Sequence, residues 1–290
     1  VTIVDRAPYD QMVLLAHELL LRGERDYWLV EPLREDRVAG LVALEAQHFL
    51  LQRAAHDLGS PSYFSAPKRI LEIECGSGPF VYAGLQQGHD VWGIDNDPDR
   101  IAIAQAKIDA YGLPVHWKER AAIGDAGALT FANDSFDAVL GWQVVEHLPD
   151  LTGSLYEAVR VTKRGGVLLF WASDYRGPFE AHYEIPWPPF CSDRLARRWL
   201  AAMGKPEGGI GSFFGITLQG VLATLEGLGC SVISGGYGPA FDPGLLRWFD
   251  LRDDAALERT AARFLEGMKA GTLPAAFTAA MSLAICVQKQ

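Results

Sequence analysis

From Lys68 onward, short apolar runs alternate with amphipathic segments, a pattern that leaves few folds open. Arg69–Ile73 reads as a strand, Cys75-Gly76-Ser77-Gly78 turns the chain, and Phe80–Gln87 reads as a helix. The next strand is Val91–Ile94, then a helix over Pro98–Tyr111. Val115–Glu119, Phe136–Gly141 and Val167–Ala172 are the third, fourth and fifth strands. Strand and helix in regular alternation imply right-handed crossovers and an α/β, doubly wound, mainly parallel sheet. In such sheets ligands gather beyond the carboxyl ends of the strands, so the loops after each strand are where chemistry is expected.

The flanks follow a different plan. Met12, Leu15, Ala16, Leu19 and Leu20 recur at helical spacing over Tyr9–Arg22, with Gly23 as a stop, and a second helix is read from Arg34 to His56. Gly59-Ser60-Pro61-Ser62 breaks the pattern, which divides the chain into an N-terminal helical cap (1–65) and the sheet domain (66–290). The cap is expected to cover a site; packing against the sheet domain alone is the alternative. In the tail, Thr217–Leu228 reads as a helix, and Ser231–Ser234 and Met281–Val287 as strands. Two inserts interrupt it, one at about 174–215 rich in Pro, Gly and aromatics, and one at about 239–277, helical between Pro243 and Gly271.

Charge and cysteines narrow the partners. With 36 Asp+Glu against 26 Lys+Arg, the formal charge is −10, which disfavours a nucleic acid as main partner. The longest apolar runs fall far short of the ~20 residues a bilayer span needs, so no membrane partner is expected. Cys75, Cys191, Cys230 and Cys286 form no C-x-x-C pair, which fits a reducing compartment without a zinc site. No basic segment followed by an apolar one opens the sequence. A cytoplasmic setting is the expectation.

The loop after the first strand, Leu71-Glu72-Ile73-Glu74-Cys75-Gly76-Ser77-Gly78, lets a ligand approach the backbone and meet the free N–H groups of a helix start. A dinucleotide fingerprint would place glycine at position 81, where Val81 stands. Glu72 and Glu74 would repel a pyrophosphate and attract a cation. S-adenosylmethionine, with a sulfonium, an ammonium and no phosphate, suits that charge better than NAD. Asp95 ends the second strand where a carboxylate can accept from ribose hydroxyls. After the third strand, Gly124-Asp125-Ala126 puts a short acid where an adenine amino group can donate to it.

These segments come in a telling order. Ile70–Gly78, Gly93-Ile94-Asp95, Gly124-Asp125-Ala126, Ser135–Val139, Val145-Glu146-His147-Leu148-Pro149-Asp150 and Lys163-Arg164-Gly165-Gly166 together resemble the class I S-adenosylmethionine-dependent methyltransferases. The chain is most similar to their small-molecule branch that includes the ubiquinone-pathway enzymes, over about Lys68 to Ser173. The resemblance implies a Rossmann-like, seven-stranded sheet with an antiparallel last strand and S-adenosylmethionine as cofactor. It makes Glu72, Gly76 and Gly78 the floor under the methionine part, Asp95 with Asn96 the ribose contact, and Asp125 with Ala126 the adenine contact. Trp142 and Gln143 would lie near the methionine end. One position departs from the family: Glu74 stands where glycine is usual.

For the acceptor side, an alcohol or phenol nucleophile needs a base within hydrogen-bond reach. His147, following the fourth strand, and His182, in the first insert, are the candidates. The family's second acid, three residues before Glu146, is Gln143 here, so no metal is expected. The segment Asp174–Phe190 combines stiff prolines and aromatics with polar tips, the composition of a small-molecule pocket, and Tyr175, Arg176, Tyr183 and Trp187 are the expected substrate contacts. Arg194, Arg197 and Arg198 read as a solvated helix face. The expectation is an enzyme that methylates a small metabolite at oxygen. Methylation at nitrogen or sulfur is the alternative, with a less favoured NAD-binding oxidoreductase behind it. The expected partner is a small-molecule acceptor, and a homodimer is left open.

Overall fold

The computed structural model describes all residues except 1, 2, 4, 27–34, 45–48, 238–241 and 280–281. Three helices come first: α1 (Arg6–Asp26), α2 (Glu35–Val42) and α3 (Leu50–Asp57). The alternating region follows as β1 (Arg69–Ile73), α4 (Pro79–Gln86), β2 (Asp90–Asp95), α5 (Pro98–Ala110), β3 (Ala121–Ile123), β4 (Phe136–Trp142), α6 (Leu151–Val161) and β5 (Thr162–Ser173). The first insert contains a ribbon of β6 (Phe179–Glu180) and β7 (Ile185–Pro186), then α7 (Asp193–Ala202). The chain closes with α8 (Leu218–Gly227), β8 (Cys230–Tyr237), α9 (Asp254–Ala270) and β9 (Ser282–Lys289).

Among the described residues the main sheet has seven strands in the order β3-β2-β1-β4-β5-β9-β8. β1 to β5 pair in parallel, while β9 runs antiparallel to both β5 and β8. The order reverses direction at β1 and β4, the switch point where a crevice opens at the carboxyl ends. The central strands are buried on both faces, as their unbroken apolar runs require. One core layer joins Leu71, Phe136, Val139 and Phe170 to α6 and α8; the opposite layer joins Ile70, Val91 and Leu140 to α3, α4 and α5. Gly93 permits this packing, since a Cβ there would stand 2.7 Å from the sulfur of Cys75 in the β1 loop.

Three expectations about local structure are corrected, the first being Gly23, which does not stop the first helix but lies within α1 as it runs on to Asp26. Val115–Glu119 is not a strand: Val115–Arg120 form a 3-10 turn after Pro114, whose carbonyl accepts from the Trp117 N–H at 2.8 Å, and the third strand is only Ala121–Ile123. The helix read from Arg34 to His56 ends at Val42 and resumes at Leu50, its span at residues 34 and 45–48 lying outside the described residues. The break has a physical cause. The Leu41 carbonyl accepts from the Ser77 hydroxyl at 2.8 Å, and the Val42 carbonyl from the Tyr111 hydroxyl at 3.0 Å. These side-chain donors satisfy the carbonyls left over at the end of α2.

Helix α1 lies along α5, where Met12, Ala16 and Leu19 pack with Ile103 and Ala110. Arg22 reaches Asp97 at 2.9 Å and Asp99 at 2.6 Å at the start of α5. The two inserts meet in one aromatic core. Tyr183, Trp187 and Trp199 from the first pack with Leu257, Phe264 and Phe277 from the second.

Candidate active site

Two loops at the carboxyl ends of neighbouring strands carry residues in the left-handed backbone region. Glu74 follows β1 with φ 54°, and Gln143 follows β4 with φ 55°. Non-glycine residues rarely sit there, and such outliers cluster at functional sites. Gly76, also left-handed at φ 55°, leaves the loop's face open: within 4 Å of a Cβ built there, only the Arg100 guanidinium is met. Gly78 caps α4 in the same backbone region. Asp95, at the end of β2, accepts from the Gly76 N–H at 2.7 Å and the Asp97 N–H at 2.9 Å. A carboxylate has about four acceptor positions, so Asp95 keeps room for a ligand's hydroxyls.

The other residues expected around a cofactor lie on the same rim. Asp125 is exposed and accepts from the Gly127 N–H at 2.8 Å, beside buried Ala126. Asn96 is exposed; the cap of α5 is Asp97, whose side chain accepts from the Asp99 N–H at 2.9 Å. Trp142 packs against Phe49 and Trp171, both with ring centroids 5.5 Å away. Gln143 accepts from the Ser173 hydroxyl at 3.4 Å. Glu72 lies beneath the loop, fully buried, with Oε2 lacking a hydrogen-bond partner among the described residues. Burial, then the charge of Asp95, raises its pKa well above the carboxylate range, while Lys107 opposes that.

Beside this rim the first insert delivers a linked set of titratable groups. His182 Nδ1 lies 2.6 Å from Glu180 Oε1, and its Nε2 lies 3.2 Å from His147 Nε2. His147 Nδ1 is 2.8 Å from the Ser212 carbonyl, which can only accept, so that nitrogen carries the proton. Glu180 is buried and also accepts from the Tyr175 hydroxyl at 3.2 Å and the Tyr183 N–H at 2.7 Å. Burial alone would depress His182. The hydrogen bond and charge of Glu180, with the charge of Glu146, outweigh it and raise the pKa. His147 moves the other way: burial lowers it, against the pull of the Ser212 carbonyl. Glu146 is pushed up to about 7, first by burial.

Two residues of this site were missed in the sequence, Glu180 within the titratable set and Phe213 packed against it. Glu180 looked like one acid among many, and only the two-residue spacing to His182 on a short ribbon hints at their pairing. Phe213 stacks on His182 at 5.3 Å and on Tyr175 at 5.6 Å, with interplanar angles of 14° and 16°. Its segment is fastened to the turn after β4, since the Phe214 N–H donates to the Glu146 carbonyl at 2.7 Å.

The expected acceptor contacts divide. Tyr183 and Trp187 are 1% and 4% exposed and belong to the core of the joined inserts, where the Tyr183 hydroxyl accepts from the Gly209 N–H at 3.1 Å. Two inserts packing together leave these rings inside rather than on an open wall. Arg176 is held by Asp174, its Nε 2.9 Å from one oxygen and 3.0 Å from the other, so its charge is already met. Arg197 and Arg198 pair with Glu207 and Asp254 on the surface, as a solvated face does.

A family model described as a methyltransferase domain matches residues 71–170, the stretch from β1 to β5 that bears the glycine loop and Asp95. The chain contains a class I S-adenosylmethionine-dependent methyltransferase domain. This methyltransferase domain is 34% identical over 101 residues to a ubiquinone biosynthesis O-methyltransferase of Azorhizobium caulinodans, covering 35% of this chain and 38% of that one. It is 31% identical over 175 residues to the demethylmenaquinone methyltransferase of Thermus thermophilus, covering 60% and 63%. The chain thus spans less than two thirds of the length of the curated relatives it matches. Among solved structures, a proposed sarcosine dimethylglycine methyltransferase of Galdieria sulphuraria superposes with a TM-score of 0.53 at 13% identity, over 84% of this chain and 85% of that one. That likeness concerns the fold alone. S-adenosylmethionine is the methyl donor that the family and fold imply. The open glycine face, the free acceptor capacity of Asp95 and the acids Asp97 and Asp125 near the loop fit it.

Proposed function

We propose that this chain catalyses methyl transfer from S-adenosylmethionine to an oxygen of a small hydroxylated aromatic molecule, with His182 as the base. The observation that carries the reading is the Glu180–His182–His147 array, set next to the turn after β4 at the ligand end of the sheet. When bound, the cofactor supplies an electrophilic methyl group on a sulfonium. Glu72, the Gly76–Gly78 loop, Asp95, Asn96, Asp125, Ala126, Trp142 and Gln143 are the residues that would hold it.

The remaining work falls to the chain's own side chains. Glu180 fixes the His182 ring through Nδ1, as a carboxylate orients a catalytic imidazole elsewhere. That leaves Nε2 as the atom to receive a proton, with the acceptor's hydroxyl taking the place of His147. Phe213, half-buried and stacked on His182, offers an aromatic surface beside that ring, which suits an aromatic acceptor, while buried Tyr175 backs Phe213. The quinone-pathway names of the relatives point to the same substrate class. Alignment of nucleophile and methyl group, with water excluded, supplies most of the acceleration in such a displacement.

The test is methyl transfer from label-bearing S-adenosylmethionine to a panel of phenolic, amine and thiol acceptors. Label on a phenolic oxygen, abolished in His182→Ala, is the expected result. Transfer confined to amines or thiols and indifferent to His182 would replace this reading with nitrogen or sulfur methylation.

A further inference from the structure

Glu74 bears two costs at one position. Its backbone is left-handed at φ 54°, where the family usually has glycine. Its carboxylate makes no hydrogen bond or ion pair among the described residues although the side chain is half-buried. Sites that combine strain with an unmet charge are places where function outweighs stability. The groups that face it are Asp95 at the end of β2, Asp97 and Arg100 at the start of α5, and Asp125 after β3. Three of these four are acids, and Arg100 lies against Gly76. The nearby surface is therefore one that a cationic ligand would relieve.

We propose that Glu74 selects the charge state of the cofactor, favouring the methylated sulfonium over the demethylated thioether that remains after transfer. This rests on the methyl-transfer reading above. S-adenosylmethionine carries a net positive charge and its product none, while the two share nearly every other contact. Set towards the sulfur, a carboxylate discriminates by that charge, and its attraction for the ammonium that both nucleosides carry cancels in their affinity ratio. Its consequence is easier exchange of spent cofactor for fresh. The cost is some stabilisation of the charged ground state, so glycine here should raise the chemical rate while strengthening product inhibition.

Burial, followed by the charge of Asp95, pushes Glu74 up to about 7, with Arg100 opposing. The preference should therefore switch on as pH rises through neutrality, and binding of the cation should expel a proton.

Calorimetry on the full chain tests this. Both nucleosides are titrated into wild type, Glu74→Gln and Glu74→Gly, between pH 6 and 8, in buffers of different ionisation enthalpy. The wild-type affinity ratio of S-adenosylmethionine to its product should rise about tenfold over that window, and proton release should accompany the cation only. In both variants the ratio should be flat and the proton release gone. Binding of both nucleosides with a ratio that Glu74→Gln leaves unchanged would overturn the proposal for Glu74 alone. Binding of neither would overturn the methyl-transfer reading on which it rests.

Discussion

The Nε2 atoms of His147 and His182 face each other at 3.2 Å, while each ring's Nδ1 is tied outward, one to the Ser212 carbonyl and the other to the Glu180 carboxylate. Two neutral rings tied in this way would oppose two lone pairs, so the contact requires a proton between them. Because His182 is raised and His147 lowered, that proton belongs to His182, and Glu180 favours its charged form. Nitrogen-resolved NMR of the histidine rings should find that His182 keeps its second proton to higher pH than an ordinary histidine, while His147 is protonated at Nδ1 only.

The same arrangement sets the pH dependence. Below its raised pKa His182 is charged and cannot take a proton, so kcat should climb with pH through a midpoint above the ordinary ~6.5 of histidine. Replacing Glu180 by Gln removes the main raising influence and should move that midpoint down. His182→Ala should lower kcat by about 10²–10⁴ with cofactor affinity nearly unchanged. A loss confined to the acceptor KM would make His182 an orienting group instead.

Glu146 should leave its mark on stability. Its carboxyl is buried, with Oε2 unpartnered among the described residues, and burial raises it from 4.5 to about 7. Between those values the folded protein holds a proton that the unfolded chain has lost, so this group's contribution to stability falls as pH rises, until both states are ionised. Thermal melts of wild type and Glu146→Gln should therefore diverge in favour of the variant from pH 5 to 7.5. A constant difference across that range would show that the carboxyl does not titrate there.

Much of this was legible in the sequence, for a physical reason. Strands buried on both faces must be continuous apolar runs, and βαβ order permits few topologies, so β1, β2, β4 and β5 stand out. The glycine loop and Asp95 come at the ends of two of those strands, and the acid Asp125 follows the shorter β3. Val115–Glu119 misled because Val115, His116 and Trp117 have strand-like composition, while Pro114 set the backbone for a tight turn. The acceptor side was less readable. Whether an aromatic such as Tyr183 lines a pocket or fills a core depends on the second insert, some sixty residues later, packing onto the first. The same holds for Phe213, whose place is fixed by a backbone bond to Glu146 that no local pattern announces.

Ser77 couples the N-terminal helices to the glycine loop. Its hydroxyl donates to the Leu41 carbonyl at 2.8 Å and lies 3.1 Å from the buried Lys107 Nζ, whose pKa burial lowers to about 7. Ser77→Ala strands the carbonyl and should cost about 1–3 kcal/mol by denaturant titration. If α2 steadies the loop, cofactor affinity should fall as well. Unchanged affinity would leave the helices with packing as their role.

Phe213→Leu should keep the apolar volume and lose the stacked faces against His182 and Tyr175. The loss should be about 0.5–1.5 kcal/mol of stability per ring pair. Acceptor KM should rise while the cofactor still binds as in wild type. An unchanged KM would remove Phe213 from the acceptor's surroundings.

The measurement closest to the central claim is calorimetric titration of S-adenosylmethionine, its demethylated product and NAD into the wild-type chain and Asp95→Ala. Both methionine nucleosides should bind, NAD should not bind comparably, and the variant should lose roughly 1–3 kcal/mol because ribose hydroxyls lose their charged acceptor. Tighter binding of NAD than of either nucleoside, or binding indifferent to Asp95, would contradict the account.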